Sequence, residues 1–181
     1  MRALQRLTPW CIVQCIMTVG LTTHSEVPEM MLDEYQGYYI EDLEEGMSGS
    51  YAKTVTETDV VLYAGLSGDN NPVHINEEFA SNTFARGRIV HGMFLAGLIS
   101  CVLGTRLPGP GAIYLDQFIK FKAPVRIGDT VKATATVRAL DVERRRATLE
   151  TVCTVKGRVV VVGEATVLVA SRAESQETAA A

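Results

Sequence analysis

The chain is short of the groups that announce a metal cluster or a nucleic-acid partner. Its four cysteines, Cys11, Cys15, Cys101 and Cys153, are scattered, with no CxxC spacing and no paired histidine ligands. That pattern argues against a disulfide frame and a structural zinc site, and points to thiols of a reducing compartment, with cytoplasmic localisation as the expectation. Basic residues are outnumbered, 17 against 21 acidic, for a net charge of −4. The chain therefore lacks the positive field that phosphate backbones require, and nucleic acid is not an expected partner. Aromatics make up only 7%, yet a hydrophobic share of 47% is that of an ordinary folded core, not a fibrous or disordered chain. No internal repeat is apparent.

At 181 residues the length suits one domain with a tail at each end. Arg2 and Arg6 precede an apolar run from Trp10 to Leu21, and no acidic residue occurs before Glu26. A signal peptide, a presequence or an upstream start would each look like this. Gln14 and Thr18 interrupt the run, a clear small-residue cleavage site is missing, and Met30-Met31 stands just before domain-like sequence. The expectation is an N-terminal extension over residues 1–34, from a misassigned start or a targeting segment, with no stable membrane insertion. The folded domain is expected over 35–170 and a disordered, solvated tail over 171–181.

Within the domain, Tyr38 to Ile40 and Tyr51 to Thr56 have strand-like composition. Thr56-x-x-Asp59 opens a helix whose apolar face is Val60, Val61, Ala64 and Leu66, and Ser67-Gly68 stops it. A short helix from Asn76 to Ser81 follows, with Glu77 and Glu78 suited to its first turn. Ile89 to Leu107 is apolar nearly all round, so it is a buried helix or a membrane span. Four Val-, Thr- and Ile-rich segments then decide between these: Ala112–Phe121, Thr130–Leu140, Arg146–Lys156 and Arg158–Ala170. Their connections are short, which makes an antiparallel sheet, and a lone apolar helix beside it is the helix the sheet encloses.

The most informative residues are Gly68-Asp69-Asn70-Asn71-Pro72-Val73-His74. Pro72 lacks a backbone N–H and pushes Asn71 out of the α region, so the segment reads as a tight loop, not a regular helix. A carboxylate, Asp69, and an imidazole, His74, can be aimed from such a loop at one point, which is what moving a proton and steering a water require. Asn71 most simply holds the loop through bonds to backbone. Gly92 opens the apolar helix, where unpaired N–H groups gather, and His91 is read as support for the loop and helix start. A metal held by Asp69, His74 and His91 is geometrically imaginable but has no further ligand set behind it, so no metal is expected. Lys120, Lys122 and Arg126 read as a charged strand edge, with contact to an anionic ligand's phosphates as the alternative.

Three separated motifs carry a family resemblance. Tyr63-x-x-x-x-Gly68-Asp69-x-Asn71-Pro72-x-His74, then Ile89-Val90-His91-Gly92-Met93, then Phe121-Lys122-Ala123-Pro124-Val125 with Gly128-Asp129-Thr130 resemble the MaoC-like, R-specific enoyl-CoA hydratases, from about Tyr38 to Val169. The resemblance implies an α+β hot-dog fold, a curved antiparallel sheet wrapped around a long central helix, usually paired as a homodimer. It implies reversible hydration of trans-2-enoyl-CoA to (R)-3-hydroxyacyl-CoA, with Asp69 and His74 as the catalytic pair and the Gly92 N–H as thioester oxyanion donor. Coenzyme A would then be part of the substrate and no separate cofactor is expected. A dehydratase acting on acyl-carrier-protein thioesters, and a non-catalytic thioester-binding module, are the alternatives.

Overall fold

The computed structural model describes residues 35–173 and 175. The expectations for residues 1–34, Cys11 and Cys15 among them, and for most of the C-terminal tail lie outside that range. Five strands form one antiparallel sheet: β1 (Ser48–Thr54), β2 (Ile113–Phe121), β3 (Thr130–Asp141), β4 (Arg146–Val155) and β5 (Arg158–Leu168), in spatial order β1-β3-β4-β5-β2. Four helices precede β2: α1 (Glu57–Ser67), α2 (Pro72–Ile75), α3 (Glu77–Ser81) and α4 (Gly92–Thr105).

The sheet's inner face follows from period-2 alternation. Along β3, Val131, Ala133, Ala135 and Val137 are buried, and along β4 so are Ala147, Leu149, Thr151, Cys153 and Val155. Against this face α4 buries Leu95, Leu98, Ile99, Val102 and Leu103, packing on β1, β2, β3 and β4. Alanine at 133 and 135 leaves room for the helix where β3 passes beneath it. The ladders shift register at Val137/Ala139, Cys153/Thr154 and Tyr114/Asp116, and such bulges add local bend to a sheet that encloses a helix. This is the α+β arrangement expected from the element order, and no helix among the described residues is long and apolar enough to cross a membrane.

Local chemistry sets the element ends. Thr56 Oγ1 accepts from the Asp59 N–H at 3.2 Å and the Asp59 carboxylate accepts from the Thr56 N–H at 2.9 Å, a reciprocal cap that opens α1. That backbone bond, ahead of other causes, holds the Asp59 carboxyl below the usual carboxylate range. At the other end Gly68 takes the left-handed conformation (φ 76°) and its N–H bonds the Ala64 carbonyl. The chain is thereby turned sharply into Asp69.

Four details differ from the sequence expectations. The strand-like Tyr38–Ile40 stretch leads into a 3-10 turn, Ile40–Asp42, because Asp42 accepts from the Tyr39 N–H and Ile40 bonds the Ala170 carbonyl instead of a neighbouring strand. On α1, Val60 and Ala64 form the buried stripe, while Val61 (53% exposed) and Leu66 (87%) face outward, since only the i, i+4 pair shares a side. Of the apolar Ile89–Leu107 segment only Gly92–Thr105 is helical: it opens at Gly92 as expected, since the Ile89 and Val90 N–H groups bond the carbonyls of Val73 and Val125, but it stops short of Leu107. Finally, His74 sits on the one-turn helix α2, where Pro72 occupies the first position, which needs no N–H.

The closest backbone approach in the sheet lies between β2 and β5. A Cβ built on Gly163 would stand 2.2 Å from the Phe118 carbonyl oxygen and 2.6 Å from Gln117 Nε2. Neither backbone nor a side chain bonded to Thr151 and Glu164 can give way. Gly163→Ala is expected to lower stability by about 1–3 kcal/mol or more, read as a reduced urea midpoint; an unchanged midpoint would show that β2 tolerates displacement.

Candidate active site

The segment from Gly68 to Gly92 collects the candidate site residues Asp69, Asn71, His74, His91 and Gly92, while Lys120, Lys122 and Arg126 lie later in the chain. Asp69 Oδ1 accepts from the Asn71 N–H at 3.2 Å, which leaves Oδ2 to face the imidazole. Asn71 Oδ1 caps α2 by accepting from the Val73 N–H at 3.2 Å. Both bonds are short-range turn contacts of the kind Asx residues form, and they fix the spacing between carboxylate and helix turn. His74 is buried, and its Nε2 lies 3.9 Å from Asp69 Oδ2, whose side chain is 52% exposed. One partner thus meets solvent while the other is held inside.

The tautomer of His74 follows from its other nitrogen. Nδ1 lies 2.8 Å from the Ile89 carbonyl oxygen. A carbonyl only accepts, so Nδ1 carries the proton and the neutral ring presents a lone pair at Nε2 toward Asp69. The 3.9 Å gap is too long for a direct hydrogen bond. It is the span bridged by a water making two bonds of roughly 2.8 Å at near a right angle.

His91 lies beneath this pair. It is 1% exposed, and its Nε2 lies 3.0 Å from the Asp69 backbone carbonyl, to which it donates. Its ring stacks on that of His74, centroids 3.9 Å apart and planes at 30°, with Tyr63 of α1 tilted against its far side at 4.9 Å. Tyr63 in turn meets Phe94 edge-on, so a column of rings joins α1, α2 and α4. Asp69, His74 and His91 each place one ligand-type atom within 4.8 Å of the others. Stacked rings send their in-plane lone pairs side by side, however, and an ion needs them convergent. The arrangement suits hydrogen-bonded acid–base work better than metal binding.

His91 is also the residue preceding α4, and it makes no side-chain cap bond there. The first N–H groups of α4, beginning with Gly92, therefore lack a side-chain acceptor where the positive end of the helix dipole lies. A Cβ on Gly92 would press on the Phe121 ring at 3.0 Å, so glycine keeps that approach open. From Met93 an open, largely apolar groove of about 340 Å³ runs between α4 and β2, lined by Ala96, Gly97, Ser100 and Tyr114 to Gln117. Burial, with Asp116 adding to it, pushes the Tyr114 phenol up to about 12.

Two features escaped the sequence reading. The Ile89 carbonyl is backbone and leaves no residue-type signal. Arg126 is more than a strand-edge charge: it lies between β2 and β3, and its guanidinium donates to the carbonyls of Ala85, Gly87 and Arg88. Lys120 lies on the edge strand β2 and Lys122 just beyond its end, on either side of Phe121, whose ring packs against Gly92.

Comparison with known proteins finds relatives of the chain as a whole. Residues 41–163 match the model of the MaoC-like domain family. An (R)-specific enoyl-CoA hydratase of Rhodospirillum rubrum is 58% identical over 143 residues, 79% of this chain and 99% of that protein. A 3-hydroxybutyryl-CoA dehydratase of Methylorubrum extorquens is 49% identical over 149 residues, 82% of this chain and 95% of that one. Among solved structures, the (R)-hydratase from A. caviae involved in PHA biosynthesis superposes with a TM-score of 0.69 at 42% identity, covering 71% of this chain and 98% of that one.

The hydrogen bonding of His74 has a direct spectroscopic consequence. Ring 15N spectra of the free protein at neutral pH are expected to show His74 as the Nδ1–H tautomer; an Nε2–H tautomer would mean that Nε2 is not the free lone pair.

Proposed function

This chain belongs to the MaoC-like domain family, and from that premise we propose that it catalyses the reversible addition of water to trans-2-enoyl-CoA, giving (R)-3-hydroxyacyl-CoA. The observation that carries the reading is the single water-sized gap between His74 Nε2, left unprotonated by the Ile89 bond, and Asp69 Oδ2. Hydration demands three things: a water held against C3 that gives up a proton, a proton delivered to C2, and relief of the charge that gathers on the thioester oxygen.

Each demand has a candidate group. His74 Nε2 takes the proton from water as its oxygen bonds C3, and the Asp69 carboxylate, an acceptor only when ionised, orients the same water through its second O–H. The imidazolium then returns its proton to C2, so the net change is one water added and the protein is restored. The Gly92 N–H at the start of α4 donates to the thioester oxygen, a contact of a kind whose loss typically costs on the order of 100- to 1,000-fold in rate. The open groove beyond Met93 receives the acyl chain. No group beyond the substrate's own coenzyme A is called for, because each proton moves between side chain, water and carbon.

Two further parts of the reading concern setting. β2 is an edge strand that exposes Ile113, Leu115, Phe118 and Phe121, and no further strand pairs with it among the described residues. An apolar edge of that length in a stable protein is covered, and a second copy of the chain is the proposed cover. Cys101 and Cys153 are free thiols, which fits a reducing cytoplasm.

The test is enoyl absorbance of crotonyl-CoA mixed with the wild type, Asp69→Asn and His74→Ala, with carrier-protein crotonyl thioester in parallel. Expected is loss of the signal with wild type on the coenzyme A substrate and a fall of roughly 100- to 10,000-fold in each variant at unchanged fold. Wild-type-like turnover in either variant would sink the assignment, and turnover on the carrier thioester alone would move the substrate to that class.

A further inference from the structure

Resting on this reading of the site, we propose that Arg126 is a positioning residue for His74, acting through the main chain that leads into the Ile89 carbonyl, the acceptor of the His74 Nδ1–H. The chain reverses between Thr83 and Val90, and within it three carbonyls, of Ala85, Gly87 and Arg88, converge on one guanidinium. Arg126 Nη1 donates to Gly87 at 2.6 Å and to Arg88 at 3.0 Å, and Nη2 donates to Ala85. Convergence requires unusual backbone: Arg86 holds φ at 52°, a left-handed conformation that a residue with Cβ adopts only when its surroundings enforce it. Three carbonyl dipoles aimed at one point repel one another, and a planar fork of cationic donors is what makes that arrangement favourable.

The base of the fork is itself fixed. The Arg126 N–H donates to Asp129 Oδ2 at 2.9 Å, the Asp129 N–H returns to the Arg126 carbonyl at 3.1 Å, and Gly128 and Asp129 bond Val55 beside β1. Val125, next in the chain, is 1% exposed in the core, and its carbonyl accepts from the Val90 N–H at 2.8 Å. The peptide of Ile89 is therefore bracketed. On one side the Arg88 carbonyl is held by Arg126, and on the other the Val90 N–H is held by Val125. The peptides before and after Ile89 are thus both held, the second of them carrying the Ile89 carbonyl that His74 Nδ1 meets at 2.8 Å.

A second set of bonds ties the same segment to the helices that flank the site. The Arg88 guanidinium pairs with Glu57 of α1 at 2.5 Å and with Glu77 of α3 at 3.5 Å, and the Arg88 N–H donates to Glu77 at 3.2 Å. The Arg88 pairing, first through its hydrogen bond, holds the Glu57 carboxyl below its ordinary range. These pairs lie nearer solvent and orient the loop's outer side. Arg126 acts on its inner side, on the main chain that His74 touches.

The experiment compares Arg126→Lys and Arg126→Met with the wild type by kcat and KM on crotonyl-CoA, by circular dichroism, and by ring 15N shifts of His74. Expected is a kcat lower by on the order of 10- to 100-fold with KM little changed, a mixture of His74 tautomers in Arg126→Met, and partial recovery of both in Arg126→Lys. His74 remaining wholly Nδ1–H in both variants overturns the proposal, whether kcat is preserved or falls in step with lost folded protein. Should Arg126→Met fail to fold, Arg126→Lys decides by the same readings. A wild type inactive on every enoyl thioester would defeat the hydratase reading alone, since the tautomer comparison still decides the role of Arg126.

Discussion

A helix with a wide apolar face has to bury that face, and a curved sheet covers more of it than a flat one. That constraint, imposed by Leu95, Leu98, Ile99, Val102 and Leu103 on α4, organises the rest of the molecule. The antiparallel strands supply a face of valines and alanines, small enough at Ala133 and Ala135 for close approach. Burying the five helix side chains contributes on the order of 1.5–3 kcal/mol each before chain entropy is charged against it. Enclosure also decides where chemistry can occur. One face of α4 is occupied by packing and another lines the apolar groove, so the helix offers its unpaired polar groups at its termini, and the N-terminal N–H groups are aimed at whatever the chain before Gly92 brings there.

What it brings is a set of side chains oriented almost entirely by main-chain atoms. Asp69 is set by the Asn71 N–H, Asn71 by the Val73 N–H, His74 by the Ile89 carbonyl and His91 by the Asp69 carbonyl. Main-chain partners do not rotate away as side-chain partners do, so the precision of the site reduces to the precision of the loop. His91 illustrates the balance. One ring nitrogen is bonded and the other, Nδ1, is buried without a partner. As a lone pair that atom is a modest loss; as a second N–H it would be an unmet donor in a dry place beneath the His74 ring.

Much of this was legible in the sequence, for identifiable reasons. Strand and helix existence followed from hydrophobic period, and β3 to β5 appear within a residue or two of where alternation puts them, because their inner faces are buried and register is therefore enforced. Asp69, Asn71, His74, His91 and Gly92 were marked by residue type and by Pro72. Less legible was a stretch where tertiary bonds outweigh local preference: Tyr38 to Ile40, drawn from strand to turn by the Ala170 carbonyl. Arg126 read as a surface charge because sequence shows the cation but not the three carbonyls that converge on it.

The choice of a backbone carbonyl as the partner of His74 Nδ1 bears on the direction of the reaction. A carboxylate at that position would favour the charged imidazole strongly, since hydrogen bonds to an ionised partner are roughly twice as strong as neutral ones. That suits a base whose proton must be drawn off and held. A hydration that runs both ways has a different requirement, because the proton taken from water must be given up again to C2, and in dehydration the same steps are traversed in reverse. A neutral acceptor orients the ring and selects its tautomer with less bias toward imidazolium. In the proposed hydration the Asp69 carboxylate, set 3.9 Å away and more than half exposed, would supply its charge through the reacting water instead of through the ring. On that proposal the separation of roles, main chain for orientation and carboxylate for the water, would leave the imidazole free to act in either direction.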